Sequence, residues 1–397
     1  MSECDELTPR RWAEAVVDLV ALRENVKLLC SSSEDAAAWA VVKADAYGHG
    51  AVRVARAALE AGAAGLCVAL THEGVELRTA GIDAPILLLS QQPPEHADAL
   101  IEHCLTPTVY TADGIDAVAT AAQRAGVESV GVHVKIDTGM QRVGAKIDEA
   151  DSIVSMVEVC PSTRLTGIFT HLAVADSLRP EHVDFTDGQI KRFGELLGRL
   201  DLDEGVVVHI ANSAGTLARR RIDGQERHSW AVRLGIAMYG LTPGAGVDHL
   251  TEGLQPVMSL TARVSHLKEV REGSAISYGL RHHFDSETTV ATVPLGYADG
   301  VPRRLWATGG EVLIAGRRCP IVGVITMDQL MVDVGPLVND GVAVAVGDDV
   351  VLIGQQGNDM ITADDWAESL DTIGYEIVCG ISPRVPRVAR HQTPSTP

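Results

Sequence analysis

Eight short apolar runs, ending near Val42, Ala69, Ser90, Tyr110, Ile136, Thr170, Ile210 and Gly235, constrain the fold of this chain more than any other feature. Each reads as a β-strand, and alanine-rich stretches with helical spacing, such as AVRVARAALEAGA, lie between several of them. Strands and helices in such alternation predict an α/β chain whose first domain, residues 12–244, is a (β/α)8 barrel of the TIM type. In that architecture the reacting groups sit at the C-terminal ends of the strands. The chemically distinctive residues here cluster at those ends: Lys43, Lys135 with Asp137, His171, Asn212 with Ser213, and Arg233.

After about Gly244 the texture changes to Val, Thr and Gly. The stretches LTARVSHLKEV, TTVATVPLGYADG, EVLIAGRRCPIVGVITMDQLMVDVG and DDVVLIG predict a mainly-β domain over residues 245–390. One helix near Ala363–Leu370, capped by Thr362, closes it. The strand near residues 13–19 is a candidate to pack with that domain. The ends before about Trp12 and after about Arg390 read as loose tails.

A chain of 397 residues, 46% of them hydrophobic, buries enough core for two such domains. Its net charge of -20 repels phosphate backbones and anionic lipids, and Arg219-Arg220-Arg221 is the one basic cluster that stands out. Nucleic acid and membrane partners are therefore not expected. The first residues, MSECDELTPRRW, are acidic and polar without an apolar core, and no apolar run is long enough to span a bilayer, so a cytoplasmic location is expected. Seven cysteines scattered singly predict buried, reduced thiols, with neither a disulfide framework nor a metal site.

The stretch VVKADAYGHG, residues 41–50, sets Lys43 at the end of an apolar run, just ahead of a Gly-His-Gly turn of the kind that opens a helix. Taken alone, a lysine there reads as a surface amine beside a loop. The alternative is a Schiff base with an aldehyde cofactor such as pyridoxal 5'-phosphate, which also needs a phosphate site and a group facing its ring nitrogen. Backbone N–H groups and hydroxyls can hold phosphate, and Ser213, Gly235, Ile236 and Tyr47 supply them at strand ends. No P-loop or G-x-G-x-x-G fingerprint competes.

At this level of detail the chain resembles the alanine racemase family. The resemblance is carried by VVKADAYGHG (41–50), KIDTGMQRVG (135–144), FTHLAVAD (169–176), HIANSAG (209–215), VRLGIAMYGL (232–241), ISYG (276–279), PLGYADG (294–300), ITMDQLMVD (325–333) and IGYEIVCGISPRVPR (373–387), in family order over nearly the whole chain. It implies an isomerase that interconverts L- and D-alanine by two-base proton transfer on a pyridoxal phosphate aldimine, supplying D-alanine for peptidoglycan. Lys43 then binds the cofactor and serves the D-enantiomer, and Tyr278, reaching the site from the partner of a homodimer with shared active sites, serves the L-enantiomer. A free phenol has a pKa of about 10, so Tyr278 needs help to act as a base. The resemblance assigns that help to His171 and Arg233, and sets Arg233 against the pyridine nitrogen, where a group that cannot readily give up a proton restrains transamination.

Arg142 resembles the family arginine near the cofactor's phenolic oxygen and the substrate carboxylate, and Lys135 corresponds to a family lysine open to carbamylation, whose added negative charge would orient Arg142. If Lys135 stays an amine it repels Arg142, and an anion such as chloride is expected instead. Tyr47, Ser213, Gly235, Ile236 and Tyr375 match the phosphate-binding set, Met327 and Asp328 the partner segment that closes over the substrate, and Tyr297 an inner tyrosine of the entry channel. Thr326 stands where a cysteine is common in the family. Two rival functions share the fold: a racemase of another small amino acid such as serine, or one of broad specificity, and a non-catalytic pyridoxal phosphate carrier. A carrier needs neither Tyr278 nor the Met327-Asp328 segment. A basic amino acid decarboxylase on the same fold is disfavoured by the ISYG and YADG blocks.

Overall fold

The runs that end in reactive residues fold as parallel strands. The computed structural model describes residues 11–33, 36–222 and 228–391. After β1 (Ala13–Asp18) come β2 (Ala37–Val41), β3 (Gly65–Val68), β4 (Ile86–Leu88), β5 (Thr108–Val109), β6 (Val130–Asp137), a short β7 (Ala145–Lys146), β8 (Thr163–Phe169), β9 (Val207–His209) and β10 (Ser229–Leu234). Eight of them pair in the order β4-β3-β2-β10-β9-β8-β6-β5, with β7 added beside β6. A parallel bridge between Leu87 and Thr106, with Leu88 N–H donating to Thr106 O at 3.0 Å, joins the two ends of that path and makes a nearly closed barrel. The observed strand ends fall within two residues of the expected ones.

Strands covered on both faces should be apolar throughout, and β3 and β4 are buried at every residue. The expected helix after Gly-His-Gly spans Ala51–Glu60 and turns Val54, Ala55, Ala57 and Ala58 inward. Gly50, at φ +96, makes the turn into it.

The chain divides into two compact units, Ala21–Gln255 and a second that joins the segment through Val20 with the chain from Pro256. In the second unit β1 pairs antiparallel with Met258–Arg263 and parallel with Arg387–Arg390. Its alternation buries Ala13, Ala15 and Val17. The predicted cap is present: Thr362 Oγ1 accepts from Asp365 N at 3.0 Å and Asp365 Oδ2 accepts from Thr362 N at 2.7 Å, opening the helix Ala363–Leu370. The expectation of buried thiols needs correction. Cys67 and Cys319 are buried, whereas Cys104 and Cys379 are exposed, and no disulfide joins the described cysteines. The expected tails lie almost wholly outside the described residues.

Candidate active site at the barrel mouth

Lys43 follows β2 directly, and the backbone after it is unusual. Ala44, Asp45, Ala46 and Tyr47 all have φ between +52 and +54 and ψ between 39 and 51, one turn of left-handed helix without a glycine. L-residues adopt that conformation at a cost of roughly 1–2 kcal/mol each, so neighbouring groups must enforce it. The turn buries Tyr47, whose ring lies 4.9 Å from that of Tyr239. Tyr239 in turn donates its hydroxyl to Val41 O at 2.9 Å.

Opposite, β9 and β10 build a small polar cradle. Asn212 caps the short helix Ser213–Leu217 by accepting from Gly215 N at 2.9 Å, which fixes Ser213 at its start. Ser213 Oγ accepts from Gly235 N at 2.9 Å and from Ala237 N at 3.2 Å. A Cβ on Gly235 would come within 3.2 Å of Ser213 Oγ and 3.3 Å of Tyr47 Oη, so glycine keeps open a gap edged by two hydroxyls and the backbone where Ile236 begins a tight turn. Hydroxyls and N–H groups around a space no side chain fills are the donor set a phosphate takes, and the residues present fit that group.

Arg233, on β10, is 3% exposed and has no carboxylate partner among the described residues. Its Nη2 donates to Thr170 O at 2.9 Å, Ile210 O at 3.2 Å and His171 Nδ1 at 3.1 Å, and its Nη1 to His209 Nδ1 at 2.8 Å. Guanidinium only donates, so both Nδ1 atoms are acceptors and each imidazole carries its proton on Nε2. That proton of His209 goes to His133 Nδ1, 3.0 Å away. Burial lowers the Arg233 guanidinium to about 10, still charged at neutral pH. Burial first, and then the Arg233 charge, pushes His133 down to about 3 and His171 well below its usual range, so both rings are neutral.

Lys135, 5% exposed near the end of β6, donates to Leu89 O at 3.0 Å and stands over the Phe169 ring. Burial, followed by the charges of Arg233, Arg142 and Lys43, brings its ammonium down to about 7, with Asp137 opposing. Arg142 is exposed, yet near enough for its charge to act on both Lys135 and His171. Gln189, fully buried, donates to Thr138 Oγ1 and His171 O at 3.1 Å each and accepts from Ala173 N at 2.9 Å, tying the loops after β6 and β8 together.

The barrel thus gathers Lys43, Tyr47, Lys135, His171, Ser213, Arg233, Gly235 and Ile236 at its strand ends. Arg142 also belongs to the barrel unit, between β6 and β7, and the remaining predicted residues, Tyr278, Tyr297, Met327, Asp328 and Tyr375, belong to the second unit. There Tyr278 is 71% exposed on the turn Tyr278–Leu280, after Ser277 at φ +64. Tyr297 and Met327 are 42% and 51% exposed, and their segments are stitched by Tyr297 N donating to Thr326 O and Ala298 N to Met327 O, each at 3.0 Å. Asp328 accepts from Arg384 at 2.7 Å, and Tyr375 is half-buried on the helix Gly374–Gly380. Sequence reasoning did not single out His209 and His133. A signal existed for His133, which lies two residues from Lys135 and therefore on the same face of β6.

The fold and this constellation define a class, barrel enzymes that work with a strand-end amine, a buried guanidinium and a phosphate-sized cradle. Family models described as alanine racemase, N-terminal domain, and alanine racemase, C-terminal domain, match residues 17–243 and 257–389. The chain belongs to the alanine racemase family. It is 44% identical to an alanine racemase of Symbiobacterium thermophilum, over 95% of this chain and 96% of that one. The crystal structure of alanine racemase from E. faecalis superposes with a TM-score of 0.86 at 37% identity, covering 96% and 98% of the two chains. A histidine racemase from Leuconostoc mesenteroides subsp. sake superposes with a TM-score of 0.85 at 29% identity, covering 97% and 99%. No helix among the described residues is long and apolar enough to cross a membrane.

Proposed function

We propose that this chain racemises alanine with pyridoxal 5'-phosphate, as a cytoplasmic homodimer with shared active sites, and supplies D-alanine for peptidoglycan. The observation that carries the reading is Arg233, a buried cation at the barrel mouth whose guanidinium is satisfied by carbonyls and two imidazoles rather than by a carboxylate. When bound, the cofactor supplies the carbonyl that the substrate amine joins and the conjugated ring that stabilises charge at the α-carbon. Lys43 holds it, with Tyr47, Ser213, Gly235 and Ile236 around the phosphate. Tyr375 joins that set on the resemblance alone.

Inversion at carbon needs a proton removed from one face and returned to the other. Lys43 Nζ serves one face, and Tyr278 Oη of the partner subunit serves the other. A tyrosine 71% exposed on its own unit has room to act elsewhere, which supports that assignment. His171 spends Nδ1 accepting from Arg233, so Nε2–H is left to donate to the phenolate oxygen and lower the cost of ionising it. Arg233 donates and does not accept, so a ring nitrogen facing it would stay unprotonated, which would restrain transamination. Arg142 serves the cofactor's phenolic oxygen and the substrate carboxylate, Met327 and Asp328 of the partner subunit close over that carboxylate, and Tyr297 narrows the entry.

The likeness to a histidine racemase gives a second reading, the same chemistry on another amino acid such as serine or on several. Optical rotation of L-alanine, L-serine and L-histidine, each with enzyme and added pyridoxal phosphate, separates the two. Loss of rotation fastest for L-alanine is expected. Faster loss for either competitor overturns the substrate, and no loss for any of them overturns the reaction.

A further inference from the structure

The left-handed turn after Lys43 is tied to the neighbouring βα loop by a carboxylate. Glu73 lies in the first turn of the helix Thr71–Thr79, which follows β3, and is only 9% exposed. Its Oε1 accepts from Ala44 N at 2.7 Å, the amide directly after Lys43. Its Oε2 accepts from Ala69 N at 2.8 Å and Leu70 N at 3.0 Å. Other bonds of the turn are local. Asp45 Oδ1 accepts from Ala51 N at 2.7 Å, Gly50 N donates to Asp45 O at 2.9 Å, and His49 Nδ1 donates to Ala46 O at 2.9 Å. They act at the far end of the turn, whereas its first amide, Ala44 N, donates to Glu73.

We propose that Glu73 is a positioning residue for Lys43: its carboxylate locks the left-handed turn to the neighbouring βα loop and so fixes where the amine points. A run of alanine, aspartate, alanine and tyrosine at positive φ returns to ordinary conformations unless its surroundings over-determine it. A charged acceptor shared by three amides supplies that determination, because bonds to an ionised oxygen are short and strong. Release of Ala44 would let the segment rotate about the residue that anchors the amine and carry Nζ away from the phosphate cradle that Tyr47, on the same turn, also borders.

The inference rests on the reading that Lys43 binds the cofactor, and hydrogen exchange in the cofactor-free protein tests the grip on the turn apart from it. In Glu73→Gln, one acceptor becomes an amide nitrogen facing backbone donors. Exchange of the amides over residues 44–50 is then expected to accelerate about tenfold or more, as loss of bonds to a charged group implies. Pyridoxal phosphate should bind at least about tenfold more weakly, and kcat should fall in both directions while KM for alanine stays near its wild-type value. Adding Ala44→Gly, which accepts positive φ without penalty, should recover cofactor affinity. Unchanged exchange and affinity in Glu73→Gln overturn the proposal, as does acceleration spread evenly over the chain or failure of Ala44→Gly to rescue. If Glu73→Gln does not fold, Glu73→Asp, which keeps the charge on a stem one methylene shorter, carries the same readouts. Collapse of both variants would make Glu73 a residue of the whole fold and overturn its local role.

Discussion

Lys135 shows how a single residue acquires its chemistry from its place. Outside a protein its ammonium titrates at 10.5, but burial and three nearby cations bring it to about 7. Because the folded value lies below the unfolded one, folding stability rises with pH between about 7 and 10.5, and the cost of the buried charge is fully present below 7. Near pH 8 most of the amine is neutral and can attack carbon dioxide, forming an N–C bond and releasing one proton to solvent, and the carbamate so formed would put a negative charge where Arg142 otherwise meets a like charge. In buffer stripped of carbon dioxide, activity at pH 8 should fall and return on adding bicarbonate, with a carbamate signal from labelled bicarbonate, whereas at pH 6 bicarbonate should do little. No signal and no response at pH 8 would mean that Lys135 remains an amine. Arg233 and His171 were legible as members of quoted blocks. The His209-His133 chain was not, because its meaning comes from three strands meeting, and the left-handed turn was invisible because Ala44 to Tyr47 contain none of the glycines that announce positive φ.

At the scale of elements, the strands were legible because parallel strands buried on both faces are continuous apolar runs bounded by helices, and that pattern is local. The way an element is pinned was less so. The turn Tyr297–Asp299 is anchored by Asp299, wholly buried, whose two oxygens receive Arg11 Nη1 and Nη2 at 2.7 Å each. Arg11 precedes β1, far away in sequence, so nothing near PLGYADG predicts it. Burial would raise the Asp299 carboxyl, but the Arg11 bonds, the Gly296 N–H and the charge of Arg384 outweigh it and hold the group below the usual carboxylate range. A depressed carboxyl contributes stability that is present above its unfolded value, about 3.9, and lost as pH falls through the folded value. Arg11→Ala should therefore lower the urea midpoint at pH 7 by the equivalent of about 2 kcal/mol, below the range for a fully buried pair because Arg11 is a quarter exposed and Arg384 remains at 3.4 Å. The difference from wild type should shrink on acidification below about pH 4. An equal difference at pH 7 and pH 3 would show that the loss comes from packing and not from the ion pair.

At the scale of the whole molecule, the proposed homodimer with shared sites can be tested through its second base, since the barrel holds Lys43 and the second unit presents Tyr278. Complementation between inactive variants decides it. Lys43→Ala and Tyr278→Ala, each nearly inactive, are mixed under conditions that let dimers dissociate and reform. If the tyrosine is exchanged between subunits, each mixed dimer has one site with Lys43 from one chain and Tyr278 from the other, both intact, and one site that lacks both bases. Random assortment in a two-fold dimer makes about half the dimers mixed, so about a quarter of wild-type activity should return. If each tyrosine serves its own chain, every site in the mixed dimer still lacks one base, and activity stays at the level of the separate variants. Mass spectrometry of the intact assembly shows whether mixed dimers formed and carry cofactor. Mixed, loaded dimers without recovered activity would remove the partner subunit from the mechanism and leave the exposure of Tyr278 to be explained within a single chain.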